Sequence, residues 1–305
     1  MDGQAGWRCT GLHWRDGQPV LGAVRGGRHH ERVVTAGTAV SWRLHGPRYC
    51  SGPWLAGETE QRPCPHRAEI DPNGGAVLCP PCQAVDRGLA LARDRILDDG
   101  RTYLLYLAWF GGDLAKVGLT AEQRGRARLQ EQGAPVFTVV ARGPLPAVRR
   151  AELTVSGAGL ARERFGVRAK AEQWWHLPGP AERAARVAEL RAAVTGLLAG
   201  HPVELFPAGE VVDQVGLFGL VDGPPRVYRE VVAVADGATI GGTLRAPIGR
   251  QLFLEQAGGD EPLLLLDARR LTGWGLSPAP SGPCSGVEVR AHRRPPAPDA
   301  QSALF

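Results

Sequence analysis

The sequence has little that would place the protein in a membrane or send it out of the cell. Its best apolar run, Tyr103 to Phe110, is far shorter than the roughly 20 residues that a helix needs to cross a bilayer. The start of the chain is polar with scattered tryptophans, and it lacks the basic end and apolar segment of a secretory signal. These absences predict a cytoplasmic protein, in which cysteines bind metal or stay reduced more often than they form disulfides.

Lysine and methionine are also scarce. Methionine occurs once, whereas Ala, Arg, Gly and Pro are abundant, a bias typical of a GC-rich bacterial genome. Hydrophobic residues make up 43% of the chain and charged residues 22%, near the averages of globular proteins, which excludes wholesale disorder. The 305 residues are enough for two or three compact units.

Positive charge is concentrated in one segment. The chain has 36 Lys and Arg against 31 Asp and Glu, a net charge of +5. Between residues 116 and 170 there are eleven positive and four negative residues, an excess of +7. A solvated helix face and a surface that contacts nucleic-acid phosphates both explain this pattern.

Four of the six cysteines lie in one segment that is rich in proline and glycine. Their order is Cys50-x13-Cys64-x14-Cys79-x2-Cys82, and the closing CxxC pair has the spacing with which two thiolates bind one tetrahedral ion. Because the segment has weak hydrophobic periodicity, we expect a structural zinc ion to hold it together, with His66 as an alternative ligand. A redox CxxC and unrelated buried thiols are the other interpretations. A thioredoxin motif follows a strand and opens a helix. The sequence predicts neither around Cys79-Pro-Pro-Cys82, so we expect no thioredoxin motif here.

The expected fold class is α+β, with four segments along the chain. Residues 1–98 predict a β-rich module that holds the four-cysteine site and a connecting helix over 83–96, and residues 99–200 predict an α/β core. Residues 201–290 predict a small β-rich domain, with strands near 227–234, 239–244, 251–255 and 263–267. Residues 291–305 are expected to be a disordered tail.

The central segment predicts the order ββαβα, followed by one more helix. Thr120 suits the N-cap of the first helix, Gly133 suits its end, and Pro146 suits the first turn of the second. The expected elements are strands over 103–110, 114–117 and 136–140, and helices over 120–132, 146–156 and 180–198.

This ββαβα segment resembles the core of the GIY-YIG nucleases. Tyr106 on the first strand takes the position of the GIY tyrosine, and Gly118 takes that of the glycine in the second motif. Arg128, or Arg126, takes the position of the arginine on the first helix. Glu152 takes that of the glutamate on the next helix. The resemblance implies a fold in which these side chains surround one scissile phosphate.

The chemistry that the resemblance implies is phosphodiester hydrolysis. A phenol carries a proton, a guanidinium clamps a phosphate, and a carboxylate holds Mg²⁺. The candidate catalytic residues are therefore Tyr106, Arg128 and Glu152, and the candidate nucleic-acid contacts are Lys116, Arg124, Arg126 and Arg149. Taken singly, Tyr106 equally fits a core position in an apolar strand, and Glu152 fits an ion pair with Arg149 on a helix surface.

The sequence departs from the GIY-YIG pattern at two positions. Leu104 replaces the first glycine, and Lys116 replaces the second tyrosine, as in phage-type members that read Lys-Ile-Gly. Over most of residues 7 to 276 the chain also resembles an uncharacterised family of bacterial and archaeal proteins of unknown function. That resemblance includes the cysteines and the late elements that begin at Gly249 and Leu271.

We therefore expect a zinc-stabilised protein that binds DNA or RNA, with Mg²⁺-dependent endonuclease activity as the further step that the resemblance implies. A second hypothesis is a regulatory or scaffold protein without catalysis that binds protein partners. A third is a thiol redox or metal sensor that uses Cys79 and Cys82. The pair Trp174-Trp175 has two interpretations, base stacking and a packing anchor.

Overall fold

A computed structural model of the protein describes residues 6–55, 61–92, 95–96, 98–207, 210–256 and 261–294. Its secondary structure is 38% strand and 23% helix, so the expected class is confirmed at the level of a mixed α+β protein in which sheets dominate. In these residues, none of the helices is long and apolar enough to cross a membrane.

The strands fall into two sheets. In chain order they are β1 (Trp7–Arg15), β2 (Gln18–Arg25), β3 (Arg28–Val33), β4 (Ala39–His45), β5 (Thr102–Trp109), β6 (Ala115–Ala121), β7 (Val136–Pro144), β8 (Glu204–Leu205), β9 (Val212–Asp213), β10 (Val227–Leu244), β11 (Gln251–Glu255), β12 (Leu263–Asp267), β13 (Gly275–Pro278) and β14 (Ser285–Arg293). The helices are α1 (Pro80–Val85), α2 (Arg87–Ala92), α3 (Ala127–Glu131), α4 (Leu145–Gly157), α5 (Val167–Glu172) and α6 (Pro180–Leu197).

The large sheet contains strands from both ends of the chain. Its order is β11-β12-β10-β4-β13-β1-β2-β3, and β14 pairs with β10. The two segments that the sequence predicts as separate β-rich units therefore share one sheet, in which β4 pairs with both β10 and β13. Their apolar side chains form one core, which includes Leu44, Ile240, Leu252 and Leu266.

One long strand replaces two that the sequence predicts. The segments near 227–234 and 239–244 belong to β10, which runs through both. Irregularities in its pairing with β14, between Val231 and Ala233 and between Val234 and Thr239, let the strand change partners along its length. Turn-type residues at Asp236 and Gly237 predict a break, but the strand bends there without ending.

The small sheet has the order β6-β5-β7-β8, with β9 also paired to β7. The strand and helix order ββαβα is present, and β5 lies between antiparallel partners β6 and β7. Helices α4 and α6 pack on one face, where Leu105, Val148 and Val194 are fully buried. Pro146 lies in the first turn of α4, as predicted.

The predicted helix over 120–132 is wrong in its first half. Thr120 is not an N-cap, because it pairs with Leu104 inside the β5–β6 ladder. A short 3-10 turn follows at Glu122–Arg124. Gly125, with φ of 47°, then interrupts the helical conformation before α3 begins. The ladder hydrogen bonds with β5 outweigh the local capping preference of a threonine.

Two further predictions need correction. The connecting helix over 83–96 is broken at Asp86, whose carboxylate accepts hydrogen bonds from the backbone N–H groups of Leu89 and Trp54, both at 2.9 Å. Residues 93 and 94 of that prediction lie outside the described residues. The predicted tail is wrong over residues 291–293, which belong to β14, and its residues 295–305 also lie outside the described part.

The two tryptophans at 174 and 175, which follow α5, pack against the large sheet. Both are buried, and Trp175 stacks on Tyr228 of β10 with ring centroids 5.8 Å apart. Trp174 meets the Phe253 ring edge-on at 6.4 Å. This packing supports the interpretation as a packing anchor rather than a base-stacking surface.

Candidate functional site

The four cysteines of the N-terminal segment meet at one point. The sulfur atoms of Cys50, Cys64, Cys79 and Cys82 all lie within 4.8 Å of one another. Sγ of Cys64 is 3.8 Å from that of Cys79 and 3.6 Å from that of Cys82. A tetrahedral zinc ion with Zn–S bonds of about 2.3 Å places its sulfur ligands about 3.8 Å apart. The predicted cysteine cluster is therefore confirmed, and it can hold a metal ion such as zinc.

Backbone groups orient the sulfur of Cys50. The N–H of Cys79 donates to it at 3.2 Å and the N–H of Gly52 at 3.4 Å, two bonds that favour the thiolate. Gly52 has φ of 85°, and a Cβ there would lie 1.9 Å from the carbonyl oxygen of Arg62. The turn that delivers these donors therefore requires glycine at position 52.

The thiols of the cluster differ in how readily they ionise. Burial raises the pKa of Cys50 to about 11, and burial with neighbouring thiols raises the pKa of Cys82 further. At Cys64, hydrogen bonds from the backbone N–H groups of Ala68 and His66 outweigh the effect of burial and lower the pKa to about 7. A divalent cation supplies the positive charge with which all four sulfurs become ligands. Within the described residues, these four side chains are the group of metal-ligating residues that lies close enough to hold an ion, and His66 is not part of it.

The CxxC pair does open a helix, contrary to the expectation from sequence. Cys79 is the N-cap of α1, and Cys82 lies in its first turn. The residues before Cys79 form no strand, however, and the sulfur atoms of both cysteines face those of Cys50 and Cys64. A shared four-sulfur cluster favours a metal site over a two-cysteine redox pair.

A second cluster, built on the small sheet, brings together the chain's two lysines. Lys116 lies on β6 and Lys170 on α5, and the other 34 of the 36 basic residues are arginines. The Lys116 ammonium is 5.8 Å from the ring centroid of Tyr106, and that of Lys170 is 4.1 Å from the ring centroid of Phe110. We call Tyr106, Lys116, Arg128, Glu152 and Lys170 the lysine site.

Both ammonium groups are unusually easy to deprotonate. Burial lowers the pKa of Lys116 to about 8, with Glu152 opposing the shift and Arg128 adding to it. Burial also lowers the pKa of Lys170 to about 7, and the charges of Lys116 and Arg128 lower it further. Lys116 donates to the backbone carbonyls of Val117 at 3.2 Å and of Glu163. The site holds three basic side chains and one carboxylate, that of Glu152, and a further anion would stabilise the charged forms of the lysines.

The charges of two candidate catalytic residues, Arg128 and Glu152, both act on the third, Tyr106. Burial raises the pKa of Tyr106, with smaller effects from the charges of Arg128 and Glu152. Only 2% of Tyr106 is exposed, and its hydroxyl accepts a hydrogen bond from Nε2 of Gln132 at 2.9 Å. Glu152 is also buried, and its carboxylate lies 3.5 Å from the Arg149 guanidinium.

The other candidate nucleic-acid contacts are already paired with protein groups. Arg126 pairs with Glu210 at 2.8 Å, and Arg149 donates to the backbone carbonyl of Leu91 at 2.9 Å. The buried carboxylate of Glu131 forms ion pairs with three guanidinium groups, those of Arg124 at 2.7 Å, Arg128 at 3.7 Å and Arg250 at 4.0 Å.

Lys170, Glu131 and Arg250 were missed by reasoning from the sequence. Arg250 lies in the turn before β11 of the large sheet, and its guanidinium reaches Glu131 on α3, the helix that also carries Arg128. Nothing in the local sequence points to Glu131 or Arg250, because their neighbours are distant along the chain. The scarcity of lysine was a visible signal for Lys170, since the residue is one of two in the chain.

Gly118 is expected to be required for the lysine site. A Cβ at position 118 would lie 2.3 Å from the Tyr106 hydroxyl oxygen, so Gly118→Ala would displace the ring. We expect Gly118→Ala to lower the free energy of unfolding by about 1 to 3 kcal/mol, measured by urea denaturation. The control is Gly157→Ala at the end of α4, where a Cβ meets nothing within 4 Å. Equal stability of Gly118→Ala and wild type would contradict this packing.

Comparison of the chain with protein-family models, with curated proteins and with solved structures finds no significant match. The described geometry therefore defines the protein as an α+β chain with a four-cysteine metal-type site and a cationic cluster on its small sheet.

Proposed function

We propose that the protein binds nucleic acid through its phosphates, with the lysine site as the main contact and a zinc ion bracing the cysteine segment. The small sheet would act as a GIY-YIG-like core. The observation that carries the proposal is the meeting of both lysines with Arg128 in one partly buried cluster. The Lys116 ammonium donates to the backbone carbonyl oxygens of Val117 and Glu163, and the charges of Glu152 and Glu163 only partly offset the burial that lowers its pKa.

A phosphate suits this cluster better than a protein carboxylate does. Partly buried cations that repel one another are costly to the folded protein, and they are retained where a ligand supplies the missing negative charge. Lysine is also the cation whose pKa moves most readily on burial, whereas arginine stays charged. Two lysines in a chain that otherwise uses arginine therefore point to a binding role at this position.

The Lys170→Met variant tests the proposal. We expect binding of a fluorescent oligonucleotide to weaken about tenfold at low salt, and the slope of log affinity against log salt concentration to fall by about 1. Single-stranded and duplex DNA and structured RNA would each be titrated. Because the substitution removes a partly buried cation, the melting temperature should stay equal or rise.

The matched control is Arg168→Met, on the same helix but with a side chain that is 92% exposed. It removes the same charge without touching the lysine site. If both variants weaken binding equally, the effect is one of net charge and the lysine site is not the contact. If wild type binds no nucleic acid at low salt, the proposal fails and a scaffold that binds protein partners becomes the better hypothesis.

Endonuclease activity is a second candidate, favoured by the position of Tyr106 within reach of the charges of Arg128 and Glu152. The burial of Tyr106 argues against its hydroxyl as a proton carrier. Its test is to incubate wild type and Glu152→Ala with each nucleic acid and Mg²⁺, and to examine product lengths. Cleavage by wild type that Glu152→Ala abolishes would favour the nuclease, and intact substrate in both would leave binding alone.

A further inference from the structure

An apolar cavity of about 370 Å³ lies beside the lysine site. In a strand, every second side chain shares a face. Thr120, which lines the cavity, therefore shares a face of β6 with Lys116, and Tyr106 lies opposite Gly118 on the same face of β5. Tyr106 lines the cavity and also lies 5.8 Å from the Lys116 ammonium, so its ring separates the two. The volume falls within the range of small-molecule sites.

The walls are apolar, with one buried polar group that has no partner. Phe137 and Phe206 supply aromatic surface, and Leu129 and Val139 supply aliphatic surface. The Thr120 hydroxyl is buried and makes no hydrogen bond within the described part of the chain. Buried hydroxyls are normally hydrogen-bonded, so the cavity is shaped for a ligand with a flat apolar body and a polar edge.

The rim carries charges that can exchange partners. Arg126, Glu122 and Glu210 line the cavity, and Arg126 and Glu210 form an ion pair of 2.8 Å in which the two side chains are 57% and 70% exposed. Glu122 is paired with Arg142 at 3.7 Å. Such exposed pairs are weak. A phosphate approaching the rim can therefore replace Glu210 as the partner of Arg126, and the guanidinium can bind that phosphate with two parallel hydrogen bonds.

We infer that this cavity takes one unstacked nucleobase of a single-stranded nucleic acid, with an adjacent phosphate on Arg126. A base has two apolar faces that stack on aromatic rings and a polar edge that can bond to Thr120. An aliphatic ligand would leave the Thr120 hydroxyl unpartnered and the rim arginine unused. The inference rests on the proposed function, since the base enters only with its phosphate backbone.

The test compares a single-stranded oligonucleotide with an abasic strand of the same length, which keeps the phosphates and lacks the bases. Wild type is expected to bind the base-bearing strand about tenfold more tightly. Val139→Phe, which fills the cavity, should remove that preference and leave the affinity for the abasic strand and its salt dependence unchanged. Leu153→Phe adds the same ring at an exposed position of α4 and should behave as wild type.

The outcomes separate this inference from the proposed function. Equal affinity of wild type for the two strands, with the normal salt dependence, would overturn the base cavity and leave phosphate binding intact. Absence of binding to either strand would overturn both. If Val139→Phe fails to fold, the nearly isosteric Thr120→Val serves instead: it should weaken binding of the base-bearing strand severalfold and leave the abasic strand unaffected. An unchanged Thr120→Val protein would contradict the assigned hydrogen bond.

Discussion

Replacement of Cys82 by serine is expected to abolish metal binding and to unfold the cysteine segment. Cys82 is buried, and its sulfur lies 3.6 Å from that of Cys64. A serine hydroxyl is a poor zinc ligand, so the tetrahedral set would be incomplete. Structural zinc sites contribute apparent binding free energies of about 10 to 16 kcal/mol in zinc-finger peptides, so loss of the ion removes the main support of such a segment.

Elemental analysis of purified protein measures this effect directly. We expect one equivalent of zinc per chain in wild type and almost none in Cys82→Ser, together with a lower melting temperature and new protease cleavage between residues 49 and 92. The control is Cys284→Ser, outside the cluster, where the hydroxyl can still donate to Oε1 of Gln256 as the thiol does at 3.1 Å. A wild-type protein without metal, in which all six thiols titrate freely, would refute the metal site.

Local patterns predicted many element types correctly. The apolar run that became β5 and the proline that begins α4 both act through near neighbours, so their signals lie in the sequence itself. The shared large sheet was not predictable in this way. Arg43 on β4 pairs with Thr239 on β10, almost 200 residues away, and no local pattern encodes such a partner.

The two sites differ in the same way: the cysteine cluster could be predicted from local sequence, and most of the lysine site could not. The spacing of the cysteines predicted their cluster, because ligands of one ion must be few and chemically specific. The residues of the lysine site come from five separate elements, and the sequence located Tyr106, Arg128 and Glu152 only through a resemblance. Lys170 lies on α5, a six-residue helix without apolar periodicity, so its only signal in the sequence is the rarity of lysine.

Arg48→Met is expected to be the most destabilising single change outside the metal ligands. Arg48 is 3% exposed, and its guanidinium donates hydrogen bonds to carbonyl oxygens on both sides of a junction. On the cysteine side the acceptors are Asp71 at 2.8 Å, Pro72 at 3.3 Å and Gly74 at 3.0 Å. On the large-sheet side they are Thr272 at 2.8 Å and Arg269 at 3.1 Å.

Methionine fills a similar volume and donates no hydrogen bond, so these carbonyls would lose their partner in a buried place. Hydrogen bonds to a charged group contribute about 1.5 to 3 kcal/mol each, but shared donors are not additive, and we expect a loss of about 3 to 5 kcal/mol in the free energy of unfolding. Urea denaturation followed by circular dichroism measures it. Arg43→Met, at an exposed position on β4, should change the same quantity by less than about 0.5 kcal/mol.

The Arg48 result also distinguishes two ways in which the cysteine segment is held. If the metal ion alone supports the segment, Arg48→Met retains its zinc and unfolds within about 1 kcal/mol of wild type. If the guanidinium anchors the segment to the large sheet, the variant retains its zinc at low temperature, but the segment becomes sensitive to protease well below the melting temperature of wild type. We expect the second result, because the five acceptors lie on two separate parts of the chain, and the four cysteines that can hold an ion lie on only one of them.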